Sequence, residues 1–208
     1  MPIISLEAED LDKSFSGPPV FSGIGFRVEQ GLTAVTGRNG SGKTTLLKIL
    51  AGLLRPSAGR VRILRGGIPL TNSERRLAVG WSSPDLAFYG ELTAEENLLF
   101  FRRSAGRDAS GEEIRGRLSS VGLGEDAAGR RVEEFSSGMA QRLRIAFALL
   151  FDPPLLLLDE PMAGLDLEGR EMVHRTVAQA RRRGAVVLAS NDERDFAQPE
   201  QRIELGRR

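Results

Sequence analysis

Apolar residues in the first quarter of the chain come in short runs broken by turns: IISLEAEDL, then SGPP, then VFSGIGFRVEQG, then LTAVTG. Such runs predict strands, and LTAVT is apolar enough to be buried within a sheet. The period then changes. In KTTLLKILAGL the leucines and isoleucine recur at helical spacing, Gly52 stands near the end, and RPSAG follows as a turn. RVRILRG and RRLAVGWS predict two further strands.

From residue 93 the pattern is helical. Thr93 with Glu96, and Ser110 with Glu113, have the capping-box spacing and predict two helix starts. A third helix is predicted over roughly 138–151, where Met139, Leu143, Phe147 and Leu150 mark one apolar face. Asp152, Pro153 and Pro154 stop it. LLLL at 155–158 then predicts a strand with no polar face, which belongs at the centre of a sheet covered on both sides. A helix near 167–183, ending at Gly184, leads to a second buried strand, AVVLAS. Strands thus flank a helical stretch. The pattern predicts a single α/β domain, with residues 1–89 and 152–208 as the core and residues 90–151 as an inserted helical subdomain.

Composition narrows the function. With 208 residues, 40% hydrophobic and 27% charged, the chain is that of an ordinary globular domain rather than a disordered one. Formal net charge is +1 and the arginines are interleaved with acids, so no basic field points to nucleic acid. Cysteine is absent, which removes disulfides and thiol metal sites and leaves the cytosol as the default compartment. MPIISLEAED lacks the basic and long apolar regions of a secretory signal. The longest apolar runs, such as IAFALLF, fall far short of the about 20 residues of a membrane span, so a membrane role requires a partner.

GRNGSGKTT at 37–45 matches G-x-x-x-x-G-K-[ST], and it sits after a predicted strand and before a predicted helix, as a phosphate loop must. The glycines let successive N–H groups point at one spot, and the following helix adds its positive end. The candidate anion cradle comprises Gly37, Arg38, Asn39, Gly40, Ser41, Gly42, Lys43, Thr44 and Thr45. Lys43 reaches the β- and γ-phosphates, and the Thr44 hydroxyl ligates Mg²⁺. Such loops work with a second strand whose terminal aspartate holds the metal, and Asp159 at the end of LLLLDE is the candidate. On an extended strand Glu160 points to the opposite side from Asp159, free to orient or deprotonate an attacking water.

FSSGMAQR at 135–142 resembles the signature loop of ABC-type ATPases, usually LSGGQ followed by a helix, and GLD at 164–166 resembles their D-loop. The resemblance runs along nearly the whole chain in the family order. It implies a phosphate-loop NTPase (RecA-like) α/β core with an N-terminal antiparallel β subdomain and an inserted α-helical subdomain. It also implies ATP and Mg²⁺ as ligands, bound in a head-to-tail homodimer or heterodimer in which the signature of one chain faces the phosphate loop of the other. Ser136, Ser137 and Gly138 occupy the signature turn, with Ser136 and Gly138 as the γ-phosphate contacts. Phe15 matches the adenine-stacking aromatic, or is a core phenylalanine. The implied place of work is the cytoplasmic face of a membrane, beside an integral-membrane subunit and without nucleic acid.

Two family elements are missing. The only histidine, His174, precedes the last buried strand, so Asn191 stands where the switch histidine is expected. Asparagine still donates a hydrogen bond but does not titrate near neutral pH. No glutamine occurs from 31 to 140, and Pro84 falls at the glutamine position with Ser83 and Asp85 beside it, either of which reaches the metal through water. Trp81, Phe88, Tyr89, Phe100 and Phe101 crowd the same region, as a groove for a partner's helix or as packing of the insert.

The expected function is ATP hydrolysis powering a membrane subunit, through Lys43, Thr44, Asp159, Glu160 and Asn191. The alternative is a degenerate subunit that binds ATP and dimerises with little hydrolysis. The soluble ABC proteins of DNA repair or translation rank last, since their extra cassettes or insertions are absent here. The brevity of the chain and its ending IELGRR resemble compact haem-exporter or cytochrome-c-biogenesis subunits.

Overall fold

A computed structural model describes residues 3–196 and 198–206; Met1, Pro2 and the two arginines that end IELGRR lie outside the described residues. The chain runs β1 (Ile4–Lys13), β2 (Phe21–Val28), β3 (Gly31–Thr36), α1 (Lys43–Ala51), β4 (Ala58–Arg65), β5 (Ile68–Pro69), α2 (Asn72–Ala78), β6 (Val79–Ser82) and α3 (Ala94–Ser104). It continues through α4 (Gly111–Ser120), α5 (Glu125–Ala128), α6 (Ser137–Ala148), β7 (Leu155–Asp159), α7 (Leu167–Arg183), β8 (Ala185–Ala189) and β9 (Gln201–Glu204). Two sheets result. One has the order β2-β1-β4-β5 and is antiparallel; the other has the order β6-β7-β8-β3-β9, with every pairing parallel.

The uniformly apolar strands are explained by where they lie. β7 and β8 are buried at every position, and the parallel sheet that contains them separates two hydrophobic cores. Leu156 and Leu158 enter the core built with α3, α4, α6 and α7, whereas Leu155 and Leu157 enter the core shared with α1 and the antiparallel sheet. Alternation persists, but both faces are apolar. The capping boxes at Thr93 and Ser110 form as expected, each hydroxyl accepting the backbone N–H three residues on.

One stretch differs from expectation. RRLAVGWS is a strand only over Val79–Ser82; its first half belongs to α2. The cause is a third capping box. Thr71 Oγ1 accepts from Glu74 N and Glu74 answers by accepting from Thr71 N at 2.9 Å, which starts a helix that runs up to the strand.

Register sets the position of everything chemical. Ala189, the last residue of β8, lies opposite Val35 of β3 on one side and Asp159 of β7 on the other. The carboxyl ends of three neighbouring strands therefore finish level, and the loops that follow them meet at one edge.

Candidate functional site

The loop after β3 is shaped by its glycines. Gly42 has φ +97 and a Cβ there would run into the Val20 side chain; at Gly37, φ +149, a Cβ would stand 2.5 Å from Ser41 Oγ. Only glycine fits this curl. Arg38, Asn39 and Gly40 are exposed, and Ser41 N donates to the Arg38 carbonyl at 3.0 Å to close the turn. α1 then begins with Gly42 as its cap and with no side chain on its first N–H groups. Lys43 is buried, with Nζ donating to the carbonyls of Gly37 (2.9 Å) and Arg38 (3.3 Å) and to Asn191 Oδ1 (2.5 Å). Thr44 is exposed and donates its hydroxyl to Asp159 Oδ2 at 2.7 Å, with Thr45 half-buried behind it. The phosphate loop and the acidic strand are thus in direct contact.

The two acids part company, although not by the alternation the sequence suggested. β7 ends at Asp159, and Glu160 adopts φ +46, a left-handed conformation that is uncommon for a glutamate. Its carboxylate turns to the end of β8, where Oε1 accepts from Asn191 Nδ2 at 2.7 Å and Oε2 lies 3.3 Å from Ser190 Oγ. Asn191 therefore bridges Lys43 and Glu160, accepting from one and donating to the other. Ser190, unremarked in the sequence, donates to the buried Asp195 at 2.6 Å. Such an anchor is invisible without the fold, because its only local signal is adjacency to Asn191.

Burial shifts both carboxyls. Asp159 is raised above the ordinary aspartate range by desolvation, against the Thr44 and Ser83 hydrogen bonds, and its Oδ1 is buried with no hydrogen-bond partner among the described residues. Glu160 is raised from 4.5 by desolvation, with Lys43 opposing. A carboxyl raised in the folded state favours folding below its unfolded value, and that contribution is lost as pH climbs through the folded value. At pH 7 the ionised Glu160 is thus a cost to the ligand-free protein. Glu160→Gln is expected to raise its melting temperature at pH 7, and the gain should vanish as pH falls toward 4.5; each kcal/mol appears as roughly 2–4 °C in a chain of this size. Calorimetry at two pH values checks it.

The signature turn caps α6. Ser136 Oγ accepts from Met139 N at 3.2 Å, and Gly138 lies so close to the D-loop that a Cβ there would stand 3.2 Å from the Gly164 carbonyl. Ser137 also borders Gly164. Among the described residues no hydrogen bond joins Ser136, Ser137 or Gly138 to the 37–45 loop of the same chain. Phe15 is 60% exposed, with Lys13 Nζ 4.7 Å from its ring centre, so the core alternative falls. The aromatic group divides. Trp81 packs on the core beneath α1, Phe88 and Phe101 meet Phe147 edge-to-face inside the helical stretch, and Tyr89 and Phe100 remain exposed at 49% and 45%. Of the residues at the missing glutamine, Pro84 and Asp85 are exposed whereas Ser83 is buried.

Residues 21–163 match a family model described as ABC transporter. An Fe(3+) ions import ATP-binding protein from Rhodococcus jostii (strain RHA1) is 37% identical over 197 residues, covering 91% of this chain and 56% of that protein. A Nod factor export ATP-binding protein I from Burkholderia lata is 34% identical over 191 residues, covering 90% of this chain and 62% of that protein. This chain spans little more than half the length of these relatives. A solved dimeric ATP-binding cassette, in a post-hydrolysis state with ADP and Pi bound, aligns at a TM-score of 0.81 and 25% identity over 96% of this chain and 94% of its own. With a phosphate loop, an acidic strand and a signature turn in the places described, and a family match over more than half its length, this chain belongs to the ABC transporter family.

Proposed function

We propose that the chain is an ATP-binding subunit that hydrolyses Mg-ATP at a head-to-tail dimer interface and powers a separate integral-membrane subunit. The observation that carries this reading is the joined pair of contacts at the sheet edge: Thr44 to Asp159, and Lys43 through Asn191 to Glu160. The donors fit the magnesium ion. Thr44 and Asp159 offer only oxygen, as a hard cation requires, and the unpartnered Asp159 Oδ1 is a buried acceptor in want of a partner. When bound, the ion would neutralise charge developing on the β- and γ-phosphates. Lys43 and the open N–H groups of α1 hold the phosphates, and Phe15 offers an exposed ring face for the adenine. Glu160 orients the attacking water and takes its proton, a task suited by a raised proton affinity. Asn191 holds that carboxylate in place by a bond that does not titrate.

The signature serines and Gly138 serve the nucleotide on a second chain, which is supported by their lack of hydrogen bonds to their own loop and by the dimeric assembly of the solved cassette. No helix among the described residues is long and apolar enough to cross a membrane; the place of work in this reading is the cytoplasmic face, beside the membrane subunit. Tyr89 and Phe100, beside a hollow lined by Glu96, Leu99 and Arg103, offer it an apolar grip. The relatives named above, an Fe(3+) ions import protein and a Nod factor export protein, give no support to the haem-exporter or cytochrome-c-biogenesis subtype.

Phosphate release from Mg-ATP, measured together with sedimentation, tests the reading. Release that requires Mg²⁺, with ATP-driven dimers, is expected; ATP-driven dimers without release, alone and with the membrane subunit, would replace it by the degenerate alternative. Asn191 adds a pH signature. The wild-type turnover profile should carry no step near about 6.5 from this position, and Asn191→His should introduce one. Identical profiles would show that residue 191 does not govern the water.

A further inference from the structure

The segment after β6 solves a problem left by the missing glutamine. Ser83 is fully buried (0% exposed), unlike Pro84 and Asp85, which follow it. Its oxygen lies 2.5 Å from Asp85 Oδ1 and 3.4 Å from Asp159 Oδ2. A hydroxyl has one proton and two lone pairs. The shorter contact takes the proton, so Asp85 accepts it and the lone pairs of Ser83 stay free. Asp85 is in turn occupied. Its other oxygen is ion-paired with Lys48, which stands four residues after Thr44 on the same face of α1. The hydrogen bonds from Lys48 and Ser83 hold the Asp85 carboxyl below the ordinary aspartate range. Thr44, Asp159, Ser83, Asp85 and Lys48 thereby form a closed circuit back to α1.

We infer that Ser83 supplies a third oxygen to the divalent cation beside Thr44 and Asp159, and that Asp85 and Lys48 are positioning residues that keep its lone pairs available. The inference rests on the nucleotide reading given above. Oxygens on adjacent corners of a magnesium octahedron, with bonds of about 2.1 Å, stand about 3 Å apart. The Thr44–Asp159 and Ser83–Asp159 separations, 2.7 and 3.4 Å, bracket that spacing. Asp85 is excluded as the ligand by its commitments: its side chain is 55% exposed and both its oxygens are engaged away from Asp159. Pro84, which falls at the glutamine position, has no side-chain donor or acceptor at all.

The lone pairs matter because a cation accepts electron density from oxygen, whereas a hydroxyl proton aimed at the site would oppose it. An aspartate carboxylate offers acceptors at both oxygens and no proton, so it meets Lys48 with one oxygen and takes the Ser83 proton with the other. An amide in its place presents an N–H₂ to the serine oxygen, occupies a lone pair and frees the hydroxyl proton to turn toward Asp159. Asp85→Asn should therefore imitate the loss of Ser83, although it touches nothing at the cation itself.

The test uses Mn²⁺ as a paramagnetic probe with ADP, so no turnover is needed. Wild type, Ser83→Ala, Asp85→Asn and Lys48→Met are titrated with Mn²⁺ by electron paramagnetic resonance, and ADP binding in EDTA is measured alongside. In wild type, Mn²⁺ is expected to bind the protein–ADP complex more tightly than ADP alone. Ser83→Ala is expected to weaken Mn²⁺ binding about tenfold and to alter the bound spectrum, with ADP binding in EDTA unchanged. Asp85→Asn should follow it, and Lys48→Met should show a smaller loss. Wild-type Mn²⁺ affinity in both Ser83→Ala and Asp85→Asn would overturn the role of Ser83 while leaving the nucleotide site standing. A wild-type protein that binds no ADP, or binds it with no help from Mn²⁺, would instead overturn the reading on which the inference rests.

Discussion

Phosphate release in Glu160→Gln falls by about 100- to 10,000-fold, while Mg-ATP still binds and still drives dimers. The exchange is nearly isosteric. The glutamine carbonyl can accept the Asn191 amide as the carboxylate does at 2.7 Å, and its amide group can meet Ser190, so the edge of the sheet keeps its shape. What is lost is the negative charge that takes a proton from water. Binding is expected to be untouched because the proposed holders of the phosphates are Lys43, Thr44 and the N–H groups ahead of α1, none of which leans on the charge of Glu160. The measurement is phosphate release beside sedimentation of the same samples. Undiminished release would take Glu160 out of the reaction and move the general base elsewhere.

Lys43→Ala should have the second large effect, and on a different quantity. Nucleotide affinity itself falls, by about 10- to 100-fold, since a hydrogen bond to a charged group is worth about 1.5–3 kcal/mol and each 1.4 kcal/mol is about a factor of ten. Two costs coincide. The phosphates lose a buried cation, and the carbonyls of Gly37 and Arg38 and the Asn191 amide oxygen lose their common donor. Lys43→Arg is expected to recover little, because a planar guanidinium does not replace a compact ammonium in a pocket that leaves the lysine 7% exposed. Titration with a fluorescent ATP analogue checks both variants. Affinity equal to wild type in Lys43→Ala would show that the backbone cradle alone holds the nucleotide.

The pairing of these two outcomes separates binding from chemistry, and it follows from the way the sheet edge is wired. Lys43 and Glu160 never touch; Asn191 stands between them. In a protein that lacks the expected histidine, one amide serves both neighbours without changing charge. That arrangement makes the site insensitive to pH at residue 191, while desolvation raises the proton affinity of the half-buried Glu160 carboxyl.

Much of this was legible along the chain. The phosphate loop needs a curl, a cation and a hydroxyl at fixed short spacing, so GRNGSGKTT carries its own geometry. LLLL followed by two acids announces a buried strand ending in charge, because four consecutive apolar positions suit only a sheet covered on both faces. Capping boxes at Thr93 and Ser110 are local hydrogen bonds and form where the spacing predicts them; the one at Thr71 obeys the same rule, in front of an apolar run whose pattern predicts a strand.

What the sequence by itself determined, then, was every feature whose cause lies within a few residues: the glycine curl, the helix starts, the apolar strands and the family signature. Tertiary structure decided what depends on register. Thr44 meets Asp159 across 115 residues and Lys43 meets Asn191 across 148, through strands whose ends finish level only because Ala189 pairs with Val35 and Asp159 at once. The left-handed turn at Glu160, the burial of Ser83 beside an exposed Asp85, and the parting of Trp81 from the other aromatics belong to the same class. Each is set by which neighbours the sheet and its two cores bring against a side chain, and no local pattern of apolar and polar residues encodes that choice.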